Sequence, residues 1–413
     1  MNTRKSRIPK VAQEIMLTNP RFVISISHSD YLGALGGTEL CILQEREFLS
    51  ARGIDYIQLS PGRVHRLAKN QVERYGSSMH VNVGGESVGF FDHSVFLECI
   101  WKLKSKGHKL ISVQLHHTLG WDLDRVEETI RVAAPPRLSI FIHDYYTVCV
   151  GFNLLRNDRI YCRAPSADSH ACLICKHGNR RSEYLARVIN FFNAMELLTS
   201  VKYVSPSAIA AQIWAESHPQ RRPLIEIIPH KVLERTEARV ERSIPKRKLR
   251  AAFLGYSSPV KGYLEWIEAT NDPEVREAYE LFHLGACGIP QKHVEVVDVS
   301  FLKGGPDAMT KALKQHEIDI AVLCSIWPET FSFTCFEAIA ANSLVITISE
   351  SGNIASTIRN NPELGIVLEP GTALKDALRH PQLFDSVDRR RRTASHIYSW
   401  NQQLAESLNL SGC

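Results

Sequence analysis

The chain has 413 residues and a mass of 46.6 kDa, more than one compact hydrophobic core accommodates, which predicts two or three domains and excludes a small binding module. Apolar residues at 44% and charged residues at 23% are those of a soluble globular chain, neither disordered nor fibrous. A net charge of +5, from 49 basic against 44 acidic residues, excludes a dedicated polyanion binder and leaves room for an anionic ligand. No nucleic-acid partner is therefore expected. No apolar run reaches the roughly 18 residues of a membrane-spanning helix. The start, MNTRKSRIPKVAQEIM, lacks the pattern of a secretory signal, so a soluble cytoplasmic chain is expected.

Short β-branched runs recur from the start, most of them followed by helical spacing. RFVISIS (21–27) leads through a Gly-rich loop into a helix over 38–52, and IDYIQL (54–59), LISVQL (110–115), RLSIFI (137–142) and VKYV (201–204) read as further strands. VKYV runs through Ser205-Pro206-Ser207 into the helical AIAAQIWAE. The rhythm restarts after residue 248, with strands at 250–254, 280–284, 294–299, 318–324 and 344–348 and helices at 261–270, 306–315 and 333–342. Strands alternating with helices imply parallel βαβ units, hence an α/β chain of two Rossmann-like domains with a ligand cleft between them at the carboxyl ends of the strands. Residues 229–248, with two prolines and the run IPKRKLR, read as the linker between a first domain over 1–228 and a second over 249–388. Residues 386–410 have near-helical apolar spacing, and a terminal helix is expected over 389–413.

Four of the ten cysteines, Cys149, Cys162, Cys172 and Cys175, fall within 27 residues in an aperiodic insertion over 149–178. In a reducing cytosol such clustering points to metal or redox chemistry before disulfides. Cys172-x-x-Cys175 is a half-site for tetrahedral zinc, and Cys149 with Cys162 could complete a structural centre that holds the insertion. Redox use is disfavoured because Cys172 follows no clear strand. Unligated thiols are the competing reading.

The stretch 318–352, IDIAVLCSIWPETFSFTCFEAIAANSLVITISESG, reads as strand, loop, helix, strand and turn. A helix starting near Phe333 would turn free N–H groups and its positive dipole end towards a phosphate, with Glu329 beside that site and Glu337 one turn inside it. Carboxylates so placed suit vicinal sugar hydroxyls. A capping box over Thr334 to Glu337 accounts for the second of them without any ligand.

The stretch PETFSFTCFEAIAANSLVITISESG resembles the signature of retaining family 4 glycosyltransferases of the GT-B fold. The resemblance implies that Glu329 contacts the donor sugar, that Glu337 holds the nucleotide ribose, and that the amides at Phe331, Ser332 and Phe333 face the sugar and diphosphate. FLGYSSPVKG (253–262) is similar to the family's diphosphate loop: Gly255 ends the strand and Lys261 keeps the lysine, while Tyr256 stands where the family has arginine. Tyrosine donates one neutral hydrogen bond where a guanidinium donates several, so part of the leaving-group stabilisation must come from elsewhere. GALGGTE (33–39) resembles the amino-terminal glycine loop, which gives Gly36 and Gly37 a role near donor phosphate and acceptor.

His143 and Asp144, in SIFIHDYY (139–146), match a family His-Asp pair, the histidine near the scissile bond. Asp144 can orient that ring only if the strand has already turned, since neighbours on a strand point to opposite faces. His116 and His117, after strand 110–115, are further candidates on the acceptor side. The His-Asp pair followed by a Cys-rich insertion is similar to that of some bacterial members of the family.

The implied reaction transfers a hexose-type sugar from a nucleotide-diphosphate donor to a hydroxyl of a glycan or lipid-linked acceptor, with retention and with no cofactor required for catalysis. The resemblance also implies a place in polysaccharide assembly, of lipopolysaccharide or exopolysaccharide, and a terminal helix that crosses back to the first domain. Residues 1–21, with five basic residues to one acidic, and the arginines at 389–392 are solvated faces or a peripheral contact with an anionic bilayer at the inner face of the cell membrane. Two alternatives stay open: a sugar-nucleotide-binding or scaffold protein of this shape without turnover, suggested by Tyr256, and a sugar-nucleotide epimerase.

Overall fold

The computed structural model describes residues 14–33, 36–62, 78–236, 247–382, 384 and 395–401. Two compact units emerge. The first contains the described residues up to Phe141 together with Val188–Lys202, and the second contains Ile142–Arg187 with the described residues from Tyr203 onward. The unit boundaries thus differ from the expected split at 228 to 249: 142–187 and the described residues from 203 fall in the second unit.

In the first unit the strands are β1 (Arg21–Ile26), β2 (Asp55–Pro61), β3 (Ser78–Val83), β4 (Glu86–Asp92), β5 (Lys109–Leu115) and β6 (Arg137–Phe141), in the order β6-β5-β1-β2-β3-β4. β1 pairs in parallel with both β2 and β5, so the strand order reverses at β1. Five of the six residues of its RFVISI sequence are buried, Ser25 among them. The β3–β4 hairpin escaped the sequence reading although its signal is present. Gly84 and Gly85, at φ +61° and +104°, form the two-residue turn that such a hairpin needs.

The second unit opens with a short hairpin, β7 (Leu155–Arg156) and β8 (Ile160–Tyr161), inside the Cys-rich segment. The end of β9 (Ser200–Ser205) pairs in parallel with β10 (Ile225–Ile227). β11 (Lys231–Thr236) lies within the expected linker. Six strands, β12 (Leu249–Leu254), β13 (Tyr279–Leu284), β14 (Glu295–Val297), β15 (Ile320–Val322), β16 (Leu344–Ile348) and β17 (Gly365–Leu368), form a parallel sheet in the order β14-β13-β12-β15-β16-β17. Alternation divides its core in two: Ala251, Phe253, Ile320 and Val322 pack on one face with Trp266, while Ala252, Leu254, Ala321 and Leu323 pack on the other with Ile339.

β18 (Ser395–Trp400) pairs antiparallel with β11, Lys231 opposite Trp400. This corrects two expectations: the stretch 229–248 is not wholly a linker, and 395–400 is strand where a terminal helix was expected. SHIYSW carries β-branched and aromatic residues that suit a ribbon, and pairing with a distant segment overrides the local helical spacing. Among the described residues no helix is long and apolar enough to cross a membrane. The basic residues within 1–13, the arginines at 389–392 and the rest of the expected terminal helix lie outside the described residues.

Candidate functional site

The six-stranded sheet reverses its order between β12 and β15, the place where open α/β sheets bind ligands at the carboxyl ends of their strands. The loop after β12 carries Lys261 and the loop after β15 carries Glu329. The structure joins them: Lys261 Nζ lies 2.5 Å from Glu329 Oε1. Ser325 Oγ is 2.9 Å from the same carboxylate oxygen. Glu329 is 5% exposed, whereas the Lys261 side chain remains 43% exposed. A buried carboxylate thus faces a cation that can still reach a ligand.

Glycine holds the two loops together. Gly262, at φ +81°, passes so close to Cys324 that a Cβ would sit 2.1 Å from its carbonyl oxygen. The Ile326 amide donates to the Val260 carbonyl at 3.1 Å. On the other side Gly352, at φ +60°, lies where a Cβ would meet the Glu329 backbone at 2.6 Å, and the Asn353 amide donates to the Glu329 carbonyl at 2.8 Å. Only glycine takes both the backbone angle and the approach. Gly262 follows Lys261 directly in the sequence, whereas Gly352 comes to the Glu329 loop only in the fold.

The helix Phe333–Ala340 begins directly after this loop. Ser332, at φ +69° and ψ +88°, precedes it, and no side chain caps it. The capping box over Thr334 to Glu337 does not form, because the helix starts one residue before Thr334. Its first N–H groups therefore stand at the positive end of the dipole, and among the described residues no N-cap side chain accepts from them. Phe331 is buried, its carbonyl accepting from Asn353 Nδ2 at 2.9 Å and its ring stacked on Phe336 at 4.6 Å.

Glu337 points to the β11–β18 ribbon. Burial pushes its carboxyl up to about 7, partly opposed by the charge of nearby Lys231 and reinforced by Asp307. Lys231 is itself buried, with Nζ 3.9 Å from the centre of the Tyr398 ring, and Tyr398 stacks at 5.8 Å on Phe336. The sequence reading missed Lys231 because it fell in the expected linker.

His143 lies beyond the end of β6, in a turn. Its carbonyl accepts from Thr330 Oγ1 at 2.6 Å, and Ser207 Oγ donates to the Thr330 carbonyl at 2.7 Å. Its ring lies 5.3 Å from that of His230, which stacks on Phe333 at 5.8 Å. The backbone of His143 thus helps fix the Glu329 loop. Asp144 has turned with the chain, and its Oδ1 accepts from the Tyr146 amide at 2.8 Å. His230, Thr330, Ser207 and Asn353 were not singled out from sequence; only the Pro229-His230 step after β10 offered a signal.

Gly255, at φ +97°, ends β12, and its carbonyl accepts from buried His283 Nε2 at 2.8 Å. Burial lowers the pKa of His283. Tyr256 is 63% exposed.

The first unit carries its own polar cluster where β1 separates β2 from β5. His116 Nε2 lies 3.2 Å from Glu45 Oε2, both side chains sealed from solvent at 0% and 2% exposure, and the ring stacks on Phe141 at 4.3 Å. His116 is a core histidine, not one lining an open surface. His117 Nδ1 accepts from the Leu119 amide at 2.9 Å, and its ring lies 4.6 Å from that of His28. His28 Nε2 is 3.2 Å from buried Glu39. Glu39 also accepts from the Gly36 amide at 2.9 Å and from Ser29, so the Gly36 N–H expected to face phosphate is engaged within its own loop. Gly37 is the first residue of the helix Gly37–Ser50.

Cys149, Cys162, Cys172 and Cys175 line one cavity of about 20 Å³ together with His177 and Arg181, and none forms a disulfide. Burial pushes the Cys149 thiol up to about 11 and raises Cys162 as well.

No protein-family model matches the chain, and no curated protein matches it. Solved structures do. HepE of Anabaena, in complex with UDP-glucose, superposes with a TM-score of 0.53 at 11% identity, covering 94% of each chain. WaaG, a glycosyltransferase involved in lipopolysaccharide biosynthesis, gives 0.56 at 14% identity, covering 94% of this chain and 100% of its own. Sucrose-phosphate synthase from Thermosynechococcus elongatus gives 0.55 at 13%, covering 94% of each chain. The fold is GT-B. The β12–β17 sheet is then one Rossmann-like half of the GT-B architecture, and the Lys261–Glu329 pair stands at its switch point.

Proposed function

We propose that this GT-B chain is a retaining glycosyltransferase resembling family 4, moving a hexose-type sugar from a nucleotide diphosphate to a hydroxyl of a glycan or lipid-linked acceptor. The observation that carries the reading is the half-open Lys261–Glu329 pair beside a helix N-terminus that no side chain caps. A nucleotide-diphosphate sugar brings two groups such a site can use: a diphosphate for the Lys261 cation and the helix amides, and sugar hydroxyls for the Glu329 carboxylate. Glu337 takes the ribose. Lys261 and the amides stabilise the departing diphosphate, which itself takes up the acceptor proton on the same face of the sugar. His143 stands near the scissile bond, as the resemblance assigns.

HepE holds UDP-glucose in its crystal structure, and WaaG acts in lipopolysaccharide biosynthesis. Both support a nucleotide-sugar donor and a place in surface-polysaccharide assembly, with the chain working at the inner face of the membrane. A thermal-shift panel of UDP-, GDP- and dTDP-sugars tests the donor. The matching nucleotide at about 100 times its Kd should raise Tm by on the order of 5 °C, and a flat response to every sugar nucleotide would sink the reading.

One observation favours a second reading. Tyr256 is exposed where the resembled family has its diphosphate arginine, which suits a protein that binds sugar nucleotide without turning it over. A thermal shift without nucleotide release in the presence of acceptor would select that reading. Donor conversion with no acceptor would select an epimerase.

A further inference from the structure

The segment 149–187 concentrates the charge of the chain. It holds seven basic residues against three acidic ones, a net +4 of the chain's +5. Ahead of the helix that starts at Arg181 it has little regular structure: a hairpin of two-residue strands, a helix of four residues and one 3-10 turn.

Among the described residues the four cysteine sulfurs of this segment do not gather at metal-ligand distance, and burial raises the Cys149 and Cys162 thiols. The zinc expected from their spacing therefore does not fit the cavity they line. Buried Arg181 ties the segment together instead. Its Nε donates to the Val148 carbonyl at 3.2 Å, and its Nη1 donates to Cys172 Sγ at 3.1 Å and to the Pro165 carbonyl. The residues after the four-residue helix are pinned to the hairpin turn: the Lys176 amide donates to Asn157 Oδ1 at 2.9 Å, and His177 Nε2 lies 2.8 Å from Asp158 Oδ1. A Cβ on Gly178 would sit 1.6 Å from the Cys172 carbonyl oxygen, an approach that only glycine permits.

This locked frame turns Leu154, Leu155 and Cys172 inward and leaves Ile160, Leu173 and Ile174 at 59%, 61% and 57% exposure. Leu155 lies opposite Tyr161 in the hairpin and is buried, so the next pair, Arg156 and Ile160, shares the outer face. Leu173 and Ile174 directly follow buried Cys172. Arg159, Arg163, Lys176 and Arg180 are exposed on the same segment.

We propose that this part of the second unit docks on the surface of an anionic lipid bilayer. Each basic residue near such a surface contributes about 1 kcal/mol. The three aliphatic side chains enter between the headgroups, with the arginine stems lying along them. The excess positive charge selects an anionic partner. Aliphatic composition selects a bilayer over an acidic protein, because protein interfaces draw on aromatic anchors more than on leucine. The proposal rests on the reading of a lipid-linked acceptor and names the surface that holds the chain against the lipid.

The test is sedimentation of the full chain, without donor or acceptor, with vesicles of phosphatidylcholine alone or mixed with phosphatidylglycerol. Binding should require phosphatidylglycerol and weaken with salt. Arg156→Gln, Arg159→Gln and Arg163→Gln together should weaken it about 100-fold. Ile160→Ser, Leu173→Ser and Ile174→Ser together should weaken it on the order of tenfold, with Tm close to that of the parent chain. Lys292→Gln with Lys311→Gln, exposed elsewhere in the second unit, should bind as the parent does. Leu173→Trp supplies a direct readout that needs neither triple variant to fold: brominated lipid should quench its added fluorescence. Three results overturn the proposal: no binding to anionic vesicles, binding that survives both triple variants and is lost on replacing the arginines at 389–392, or a dimer that the serine variants dissociate and vesicles do not. Nucleotide release with a detergent-solubilised acceptor should be equal in the variants and the parent, so the docking surface and the transferase reading fail separately.

Discussion

Both sheets place a pair of ionisable side chains where their strand order reverses, and the two pairs are built to opposite ends. In the first unit His116 and Glu45 are sealed, at 0% and 2% exposure, under a stacked phenylalanine. In the second, Glu329 is buried but its partner Lys261 is 43% exposed, on a loop held by glycine rather than by packing. A sealed pair stabilises the fold only while both members are present, because the survivor of a deletion is left buried without its partner. A half-open pair costs less to disturb and can exchange its internal partner for a ligand. The first reads as architecture and the second as a site.

Substitutions can break that contrast. The largest effect is expected at Glu329: Glu329→Ala should lower nucleotide release about 1000-fold, with Lys261→Ala close behind, while both keep a Tm near that of the parent chain. If Glu329→Ala instead unfolds the chain with no separate loss of turnover, the second pair is as structural as the first. Glu45→Ala should do the reverse, costing about 3 kcal/mol in urea unfolding while the folded fraction keeps its donor affinity.

Gly262→Ala lies between the two in kind. Its Cβ has no room beside the Cys324 carbonyl and its φ is +81°, so stability should fall by about 2 kcal/mol and turnover at least tenfold, because Lys261 moves with the loop. Equal stability to the parent in a denaturant titration would mean that the two loops are not locked as described.

The smallest effect concerns pH. Burial raises the Glu337 carboxyl to about 7, above its ordinary value of 4.5, so the unliganded fold favours the protonated form. Its contribution to stability is therefore fully present below 4.5 and is lost as pH rises to about 7. A ribose held by the carboxylate needs the other form. Donor affinity should strengthen about tenfold from pH 6 to pH 8 and become flat in Glu337→Gln. A wild-type affinity that ignores pH across that range would remove Glu337 from the donor site.

Much of this contrast was legible in the sequence on one side and hidden on the other. Lys261 stands directly before Gly262 and Glu329 sits in the short loop motif PETFSF, and the family resemblance of these two stretches pointed to both. His116 looked equally exposed to chemistry, at a strand end beside a second histidine. Only the position of Glu45 on the neighbouring helix shows that the ring is enclosed. Lys231 and His230 were hidden for a related reason: they lie in a stretch whose strand forms only by pairing with Ser395–Trp400, far along the chain.

Local periodicity carried the α/β alternation and five of the six strands of the second sheet, Gly365–Leu368 escaping it, because periods of two and 3.6 residues are local properties of the chain. The sequence also marked the Lys261 loop, because the glycine its backbone angle demands, Gly262, is written directly after it. Tertiary packing alone set which charged pair is open and which is sealed, that a ribbon replaces the expected terminal helix over 395–400, and that the four clustered cysteines line one cavity. Burial and long-range pairing are set by what the rest of the chain brings to a residue, and no local pattern encodes that.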